Sequence, residues 1–202
     1  MAELGLFPLP VVLFPTERIP LHIFEPRYVE LIEECLADGT EFGLVLADGD
    51  AFHEVGTRAA VTDVVERLDD GRLNVVVEGG ERFRVLEVTS GRSFTTADVE
   101  PVTDDDEAPA DLSRALEVFG ALAGEAESDV DIPDGDSPLL DFELAARVDF
   151  APEDKQKLLA STSPGARAER LAELLDLALE AVRTEKHLRE RAGQNGRVTP
   201  LE

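Results

Sequence analysis

Hydrophobic and polar residues alternate along much of the first half of the chain and recur at helical spacing along the second. Short runs rich in Val, Phe and Thr predict strands at residues 11–14, 19–23, 42–47, 56–68, 73–78, 82–88 and 94–99. Asp70 and Gly71 between two runs tolerate the positive φ of a tight turn and predict a hairpin. The adjacent Gly79 and Gly80 predict a bulge between strands, and an alternation that slips at Leu86 predicts a second bulge or a strong bend.

Apolar residues spaced three and four apart predict one helix in the first half and four in the second. The first helix begins at Pro26, which has no N–H to lose there, and ends at Gly39. The later helices are predicted after Asp111, within LLDFELAARV, from Pro152, and from Pro164 to about Arg191. The chain is therefore predicted to be α+β, with a β-rich subdomain over 1–102, an acidic linker over 103–111, a helical bundle over 112–192 and a C-terminal tail over 193–202.

The charge of the chain limits its partners. With 44 acidic and 19 basic residues among 202, the formal net charge is -25. Such a surface repels nucleic-acid phosphates and anionic lipid headgroups, so neither nucleic acid nor membrane is expected as a partner. Nucleic-acid binding would need a local basic strip built from Arg58, Arg82, Arg84 and Arg92.

The single cysteine and the N-terminus indicate where the protein works. One cysteine excludes an internal disulfide framework. The N-terminal segment carries an acid where a signal peptide carries a base, and no apolar run is long enough to cross a membrane. We expect a cytoplasmic location.

Neither a cofactor nor a metal site is predicted from the motifs. No phosphate loop is present, which makes ATP hydrolysis unexpected. Counted from Asp129 as an EF-hand, the acidic loop has Pro133 at its fifth position and Leu140 at its twelfth, so the calcium register fails. Cys35 lies on an apolar helix face, where a thiol packs as a small hydrophobe. The three histidines are scattered along the sequence without the spacing of a helical zinc site, at His22, His53 and His187.

Glu25, Arg27 and Tyr28 are the residues whose types and spacing most resemble a reactive site. A carboxylate before a helix-starting proline can cap backbone N–H groups, and the arginine can pair with it. We favour capping over catalysis because no second acid or nucleophile lies nearby in sequence. A small enzyme with a carboxylate site near Glu25 stays open as the alternative function.

The stretch LFPLPVVLFPTERIPLHIFEPRYVELIEECL resembles the opening of the Lon protease N-terminal, or substrate-binding, domain. FGLVLAD, EVGTRAAVTDVVERLDDGRLNVVVEGGERFRV and FELAARVDFAPEDKQKLLASTSPGARAERLAELL resemble later parts of that family. The resemblance implies a PUA-like, partly open β-barrel followed by a helical bundle, in a stand-alone form without the ATPase and Ser-Lys peptidase domains. The matching residues expected to shape the fold are Pro15, Pro20, Glu25, Arg27, Gly71, Arg82 and Phe83.

From this resemblance we expect a non-catalytic module that binds exposed apolar polypeptide segments or a protein partner. The binding surface would be an apolar groove between barrel and bundle, or an open sheet edge that pairs with an extended peptide. Phe24, Tyr28, Phe52 and Phe94 are the candidate peptide contacts. Ordinary core packing is the favoured role for each, and only exposed residues in a contiguous patch would qualify as contacts.

Overall fold

The computed structural model describes residues 2–49, 51–89 and 91–195. In these residues the strands are β1 Ala2–Leu9, β2 Arg18–Ile23, β3 Phe42–Asp48, β4 Ala51–Phe52, β5 Val55–Arg67, β6 Leu73–Thr89 and β7 Thr96–Pro101. The helices are α1 Pro26–Asp38, α2 Ser113–Glu125, α3 Leu140–Ala146, α4 Pro152–Ala160 and α5 Pro164–Asn195. The order confirms the α+β fold class, with strands and one helix first and four helices after them.

Strand pairing produces a ring. β1 pairs in parallel with β3 and antiparallel with β7, while β7, β6, β5 and β3 follow one another as antiparallel neighbours. The path therefore returns to β1 through the β1–β3 pair. β2 lies outside the ring and pairs with the first part of β6, and the short β4 pairs with β3.

β5 and β6 extend beyond the ring as a long hairpin, which together with β2 we call the arm. Gly71 sits in its turn with φ of 87°, as expected for the Asp-Gly pair. The register between β5 and β6 shifts opposite Gly79 and Gly80, and the register between β6 and β7 shifts around Leu86. The strand pairing is therefore irregular at both predicted positions.

The predicted strand at 11–14 is wrong. Residues Val12, Leu13 and Phe14 are buried, but they lie in irregular structure, and the first strand is β1 at residues 2–9. The apolar run is longer than one strand, and only its first part hydrogen-bonds to both β3 and β7. The two strands predicted at 73–78 and 82–88 are one continuous strand, because the glycine bulge bends β6 without ending it.

Three apolar clusters form the core. One lies inside the ring around Phe83, and another lies between the ring and α1, where Tyr28, Leu31 and Ile32 are buried. The largest lies within the bundle and also takes in Phe14 from the strand half. Because this cluster draws residues from both halves, ring and bundle share part of one hydrophobic core.

Candidate functional site

Four charged side chains, three of them buried, form a cluster where the ring meets the bundle. Arg167 on α5 pairs with Asp141 on α3 at 2.5 Å, and both side chains are at most 7% exposed. Asp104, which follows β7, pairs with Arg167 at 2.6 Å and with Arg82 on β6 at 2.5 Å. The two guanidinium groups lie over the ring of Phe142 at 4.5 and 5.1 Å. Two cations and two anions thus balance in a site where Asp104, with 35% of its side chain exposed, is the one member that water reaches readily.

Carbonyl oxygens complete the cluster. Arg82 donates to the Leu159 and Ser161 carbonyls at 2.8 and 2.7 Å, and Arg167 also donates to the Ser161 carbonyl at 2.9 Å. Burial alone would raise the pKa of Asp104, but the guanidinium groups of Arg167 and Arg82 outweigh burial and hold that pKa below its ordinary value. An ionised Asp104 suits a structural role, because a general acid needs a raised pKa.

The acidic segment between β7 and α2 is fastened to the bundle. Besides Asp104, the Asp105 backbone N–H donates to the Thr162 carbonyl at 2.8 Å, and its carboxylate accepts from the Thr162 hydroxyl at 3.0 Å. The Ser163 hydroxyl donates to Glu107 at 2.9 Å. These contacts connect the segment to the turn between α4 and α5.

A tight corner at Phe14 to Glu17 packs directly on β6. The Thr16 N–H donates to the Gly79 carbonyl at 2.7 Å, and the Gly79 N–H donates to the Glu17 carbonyl at 2.9 Å. A Cβ at position 79 would lie 2.0 Å from the Phe14 carbonyl oxygen, so only glycine fits there. Thr16 has φ of 66°, an uncommon value for a residue with a side chain. Such strain marks a position that surrounding structure holds in place.

Between this corner, the cluster and α3 lies a groove of about 450 Å³, which we call the junction groove. Its lining residues are Pro15, Thr16, Gly79, Gly80, Glu81, Arg82, Pro101, Val102, Thr103, Asp104, Leu139 and Phe142. Much of the groove wall is apolar, because it is formed by prolines together with Val102, Leu139 and Phe142. Along the edge of β6 that faces the groove, β2 pairs with β6 only up to Glu78, and β7 pairs with it only from Phe83. Among the described residues, neither β2 nor β7 therefore pairs with residues 79–82 of β6.

The structure places the four predicted contact residues outside the junction groove. Tyr28 and Phe94 are buried in the cluster beneath α1, where the Tyr28 ring lies 4.1 Å from that of Phe7. Phe52 is half-buried against the ring interior. Phe24 is 61% exposed and stacks on His22. These four side chains do not form one contiguous exposed patch, so they offer no common surface on which a peptide could contact all of them.

The motif residues expected to shape the fold lie in several places. Pro15 and Arg82 line the junction groove, Phe83 fills the ring interior, and Gly71 makes the arm's turn. Pro20 sits in β2 opposite Val76. The expected capping by Glu25 is not seen, because its carboxylate makes no side-chain cap and pairs with Arg27 at 2.7 Å. The helix needs no such cap at its first position, since Pro26 has no N–H.

The remaining residues considered for metal binding, catalysis or nucleic-acid binding do not lie together in one site. In residues 2–49, 51–89 and 91–195, no group of three or more His, Cys, Asp or Glu side chains is placed to hold a metal ion. Burial raises the pKa of the Cys35 thiol, which opposes thiolate formation. Of the four arginines that a nucleic-acid strip would need, three face carboxylates: Arg58 faces Glu41, Arg82 faces Asp104 and Arg92 faces Glu34.

Across the described part of the chain, no helix combines the length and the apolar content that a membrane crossing needs.

Comparison with known proteins identifies the family. Residues 3–176 match the family described as the ATP-dependent protease La (LON) substrate-binding domain, and the chain belongs to that family. The curated relatives include Lon protease 1 of Hydrogenovibrio crunogenus, which is 23% identical over 90% of this chain and 24% of its own length. Lon protease of Rhizobium meliloti is 24% identical over 95% of this chain and 26% of its own length. The chain thus spans about a quarter of these relatives.

Solved structures share the fold. The Lon N-terminal domain protein from Xanthomonas campestris is 24% identical, with a TM-score of 0.67 over 85% of this chain and 97% of that chain. The N-terminal domain of Mycobacterium avium complex Lon protease is 18% identical, with a TM-score of 0.68 over 88% of this chain and 98% of that chain. The expected Lon N-terminal fold is therefore confirmed.

Sequence reasoning missed most of the groove. Phe142 and Leu139 lie in a stretch that we assigned only to a short helix, and Asp104 lies in a run that we interpreted as a linker. One available signal was that Arg82 belongs to the family motif and lies two residues after Gly80 of the glycine bulge. A bulge next to a motif arginine indicates a strand that changes partners at that point.

Proposed function

We propose that this protein is a non-catalytic polypeptide-binding module whose junction groove takes an exposed apolar segment of another chain. The observation that carries the proposal is the groove itself, with apolar walls on both sides of a β6 stretch that neither β2 nor β7 pairs. Membership of the substrate-binding domain family supports it. A groove of about 450 Å³ has the size of a site for a few side chains.

The groove offers two kinds of contact to an extended segment. Leu139, Val102 and Phe142 supply apolar surface for alternate side chains of the segment. The backbone of Gly80 and Glu81 lies between the Gly79 bonds to the corner and the Arg82 bond to Val102, where an added strand can pair. Arg82 belongs both to the wall of the junction groove and to the ion cluster. The cluster therefore holds the walls of the groove in a fixed position.

The test is calorimetric titration with a peptide whose core is apolar and whose ends are acetylated and amidated. We expect binding that persists at high salt, since apolar contacts are not screened. Leu139→Gln should weaken binding about tenfold, because it places an amide in an apolar wall. Leu177→Gln is the matched control, since Leu177 is exposed on α5, away from the groove.

A polar peptide of equal length should not bind. Equal affinity of the two peptides, or equal affinity of the Leu139→Gln and Leu177→Gln variants, would contradict the proposal. Thermal unfolding of both variants checks that each is folded. The proposal also retains the cytoplasmic location, and the absence of a nucleic-acid ligand, predicted from the acidic single-cysteine sequence.

A further inference from the structure

A second pocket lies on another side of the junction between ring and bundle. It has a volume of about 650 Å³ and lies between the start of β5, the middle of β6 and one face of α4. We call it the Gln156 pocket, and its walls include His53, Val55, Arg84, Gln156, Lys157 and Ala160. It shares no lining residue with the junction groove.

Gln156 brings a buried acceptor to this pocket. The side chain is 5% exposed, and its Nε2 donates to the Val55 carbonyl at 2.9 Å. That bond determines which end of the amide is the donor, because the reversed amide would set two oxygens against each other. The Oε1 atom is then buried with no hydrogen-bond partner in the described residues. Buried acceptors without donors are rare and unfavourable, so the atom would gain from an N–H supplied from outside the chain. Because Oε1 is shielded from solvent, a small movement of the pocket wall must open it to that N–H.

Arg84 brings a cation to the same pocket. It is directly opposite Val55 in the β5–β6 pair, so its side chain emerges beside the residue whose carbonyl holds Gln156. It is half-buried, and among the described residues it forms no ion pair, whereas Arg82, two residues earlier, is in the buried cluster. Glu54 and Glu153 also line the pocket, both exposed, and neither forms an ion pair with Arg84. Lys157 is already paired with Asp154 at 3.3 Å.

Together these groups describe the ligand. Arg84 suits a carboxylate, which accepts two parallel bonds from a guanidinium group. Gln156 Oε1 suits an N–H donor close to that carboxylate. An acylated amino acid with a free carboxylate has both groups one carbon apart, and so does the last residue of any polypeptide.

We propose that the Gln156 pocket binds the C-terminal end of a polypeptide, with its terminal carboxylate on Arg84 and its last peptide N–H on Gln156. The choice of a polypeptide over a small acylated amino acid rests on the proposed function. The roles of Arg84 and Gln156 in holding a carboxylate and an N–H do not depend on it. The module would then hold a partner chain by its end here and by an apolar segment at the junction groove.

The experiment uses the full chain labelled with ¹⁵N and three probes. These are an acetylated tripeptide with a free carboxylate, its C-terminal amide, and acetylglycine. Binding is followed by the side-chain N–H signals of Gln156 and Arg84. The free-acid tripeptide should shift both signals and bind about tenfold or more tightly than the amide, since one charge-assisted pair is lost.

Variants locate the effect. Arg84→Gln should abolish the preference for the free acid, while Arg58→Gln, another half-buried arginine on the ring, should keep it. Gln156→Met should weaken binding of both tripeptides, because both carry the last N–H. The Arg84→Gln variant serves as the decisive one if Gln156→Met fails to fold.

Several results would overturn the inference: equal affinity for acid and amide, a preference that survives Arg84→Gln, or shifts only at the junction groove. If acetylglycine binds as tightly as the tripeptide, the ligand is a small acid and the polypeptide assignment is wrong. The peptide blocked at both ends that tests the junction groove lacks a free carboxylate. Failure of one proposal is therefore distinguishable from failure of the other.

Discussion

The junction and the arm use the same kind of ion pair in opposite settings. At the junction, Arg167 and Asp141 lie 2.5 Å apart and are at most 7% exposed. On the arm, Arg18 and Asp63 lie 2.7 Å apart with 52% and 60% of their side chains exposed. The distances are alike, but water screens the arm pair and not the junction pair. Burial therefore decides what each pair contributes, and the buried cluster is where removing one partner should matter.

The largest effect is expected from Arg167→Met. Losing the guanidinium leaves the buried Asp141 carboxylate without its cation, which costs about 3–5 kcal/mol of unfolding free energy. Urea unfolding measures the change. A loss as small as that of an exposed pair would show that the cluster is hydrated and that its burial has little energetic consequence.

A double variant sharpens this result. Replacing both Arg167 and Asp141 by apolar residues of similar size, as in Arg167→Met with Asp141→Leu, removes the unpaired charge. We expect the double variant to be more stable than Arg167→Met alone, because two apolar side chains carry no desolvation cost. If the double variant is the less stable of the two, the single loss does not come from an unpaired charge.

The second prediction compares a glycine at the junction with a glycine on the arm. Gly79→Ala places a Cβ 2.0 Å from the Phe14 carbonyl oxygen, so the corner must move, at a cost of about 1–3 kcal/mol. Gly71→Ala meets no atom within 4 Å but holds a residue at φ of 87°, at a cost of about 1 kcal/mol. Thermal unfolding of both variants should rank Gly79→Ala as the more destabilised. The reverse order would mean that the corner yields more easily than the turn.

The third prediction concerns acid and salt. The pKa of Asp104 is held below its ordinary value of 3.8, so Asp104 stabilises the fold above that pH, and this stabilisation is lost as pH falls through the lower folded value. Asp70 at the arm's turn also has a lowered pKa, caused by hydrogen bonds from Arg72, but its side chain is 54% exposed, against 35% for Asp104. Carboxyl NMR titration in about 1 M salt should move the Asp70 pKa towards ordinary values and move that of Asp104 less. Equal movement would contradict the difference in screening.

The smallest effect is expected from Arg18→Met on the arm. The side chain pairs with Asp63 at 2.7 Å and Glu78 at 3.6 Å, all about half exposed. Exposed pairs contribute about 0–1 kcal/mol, so urea unfolding should change by no more than that. A loss comparable to that of Arg167→Met would remove the contrast between the two regions.

Local features were predictable because nearby residues determine them. Pro26 and Gly39 bound α1 as expected, and the Asp-Gly turn and both irregularities in strand pairing lie where the pattern predicts them. The strand predicted at 11–14 was wrong, since the apolar run does not show which part finds hydrogen-bond partners on distant strands. Phe24 and Tyr28 look alike in sequence but differ in exposure, which packing against α1 and the ring decides.

The sequence by itself determined the α+β order, the acidic surface and the likeness to the Lon N-terminal family, because these depend on composition, periodicity and short motifs. Only the tertiary structure brought Arg82, Asp104, Asp141 and Arg167 together, from positions up to 85 residues apart. It also placed Gln156 beside Val55 and Arg84, and a groove beside the bulge in β6. A contact between distant residues depends on how strands pair and helices pack, and neither is encoded in any one stretch of the chain.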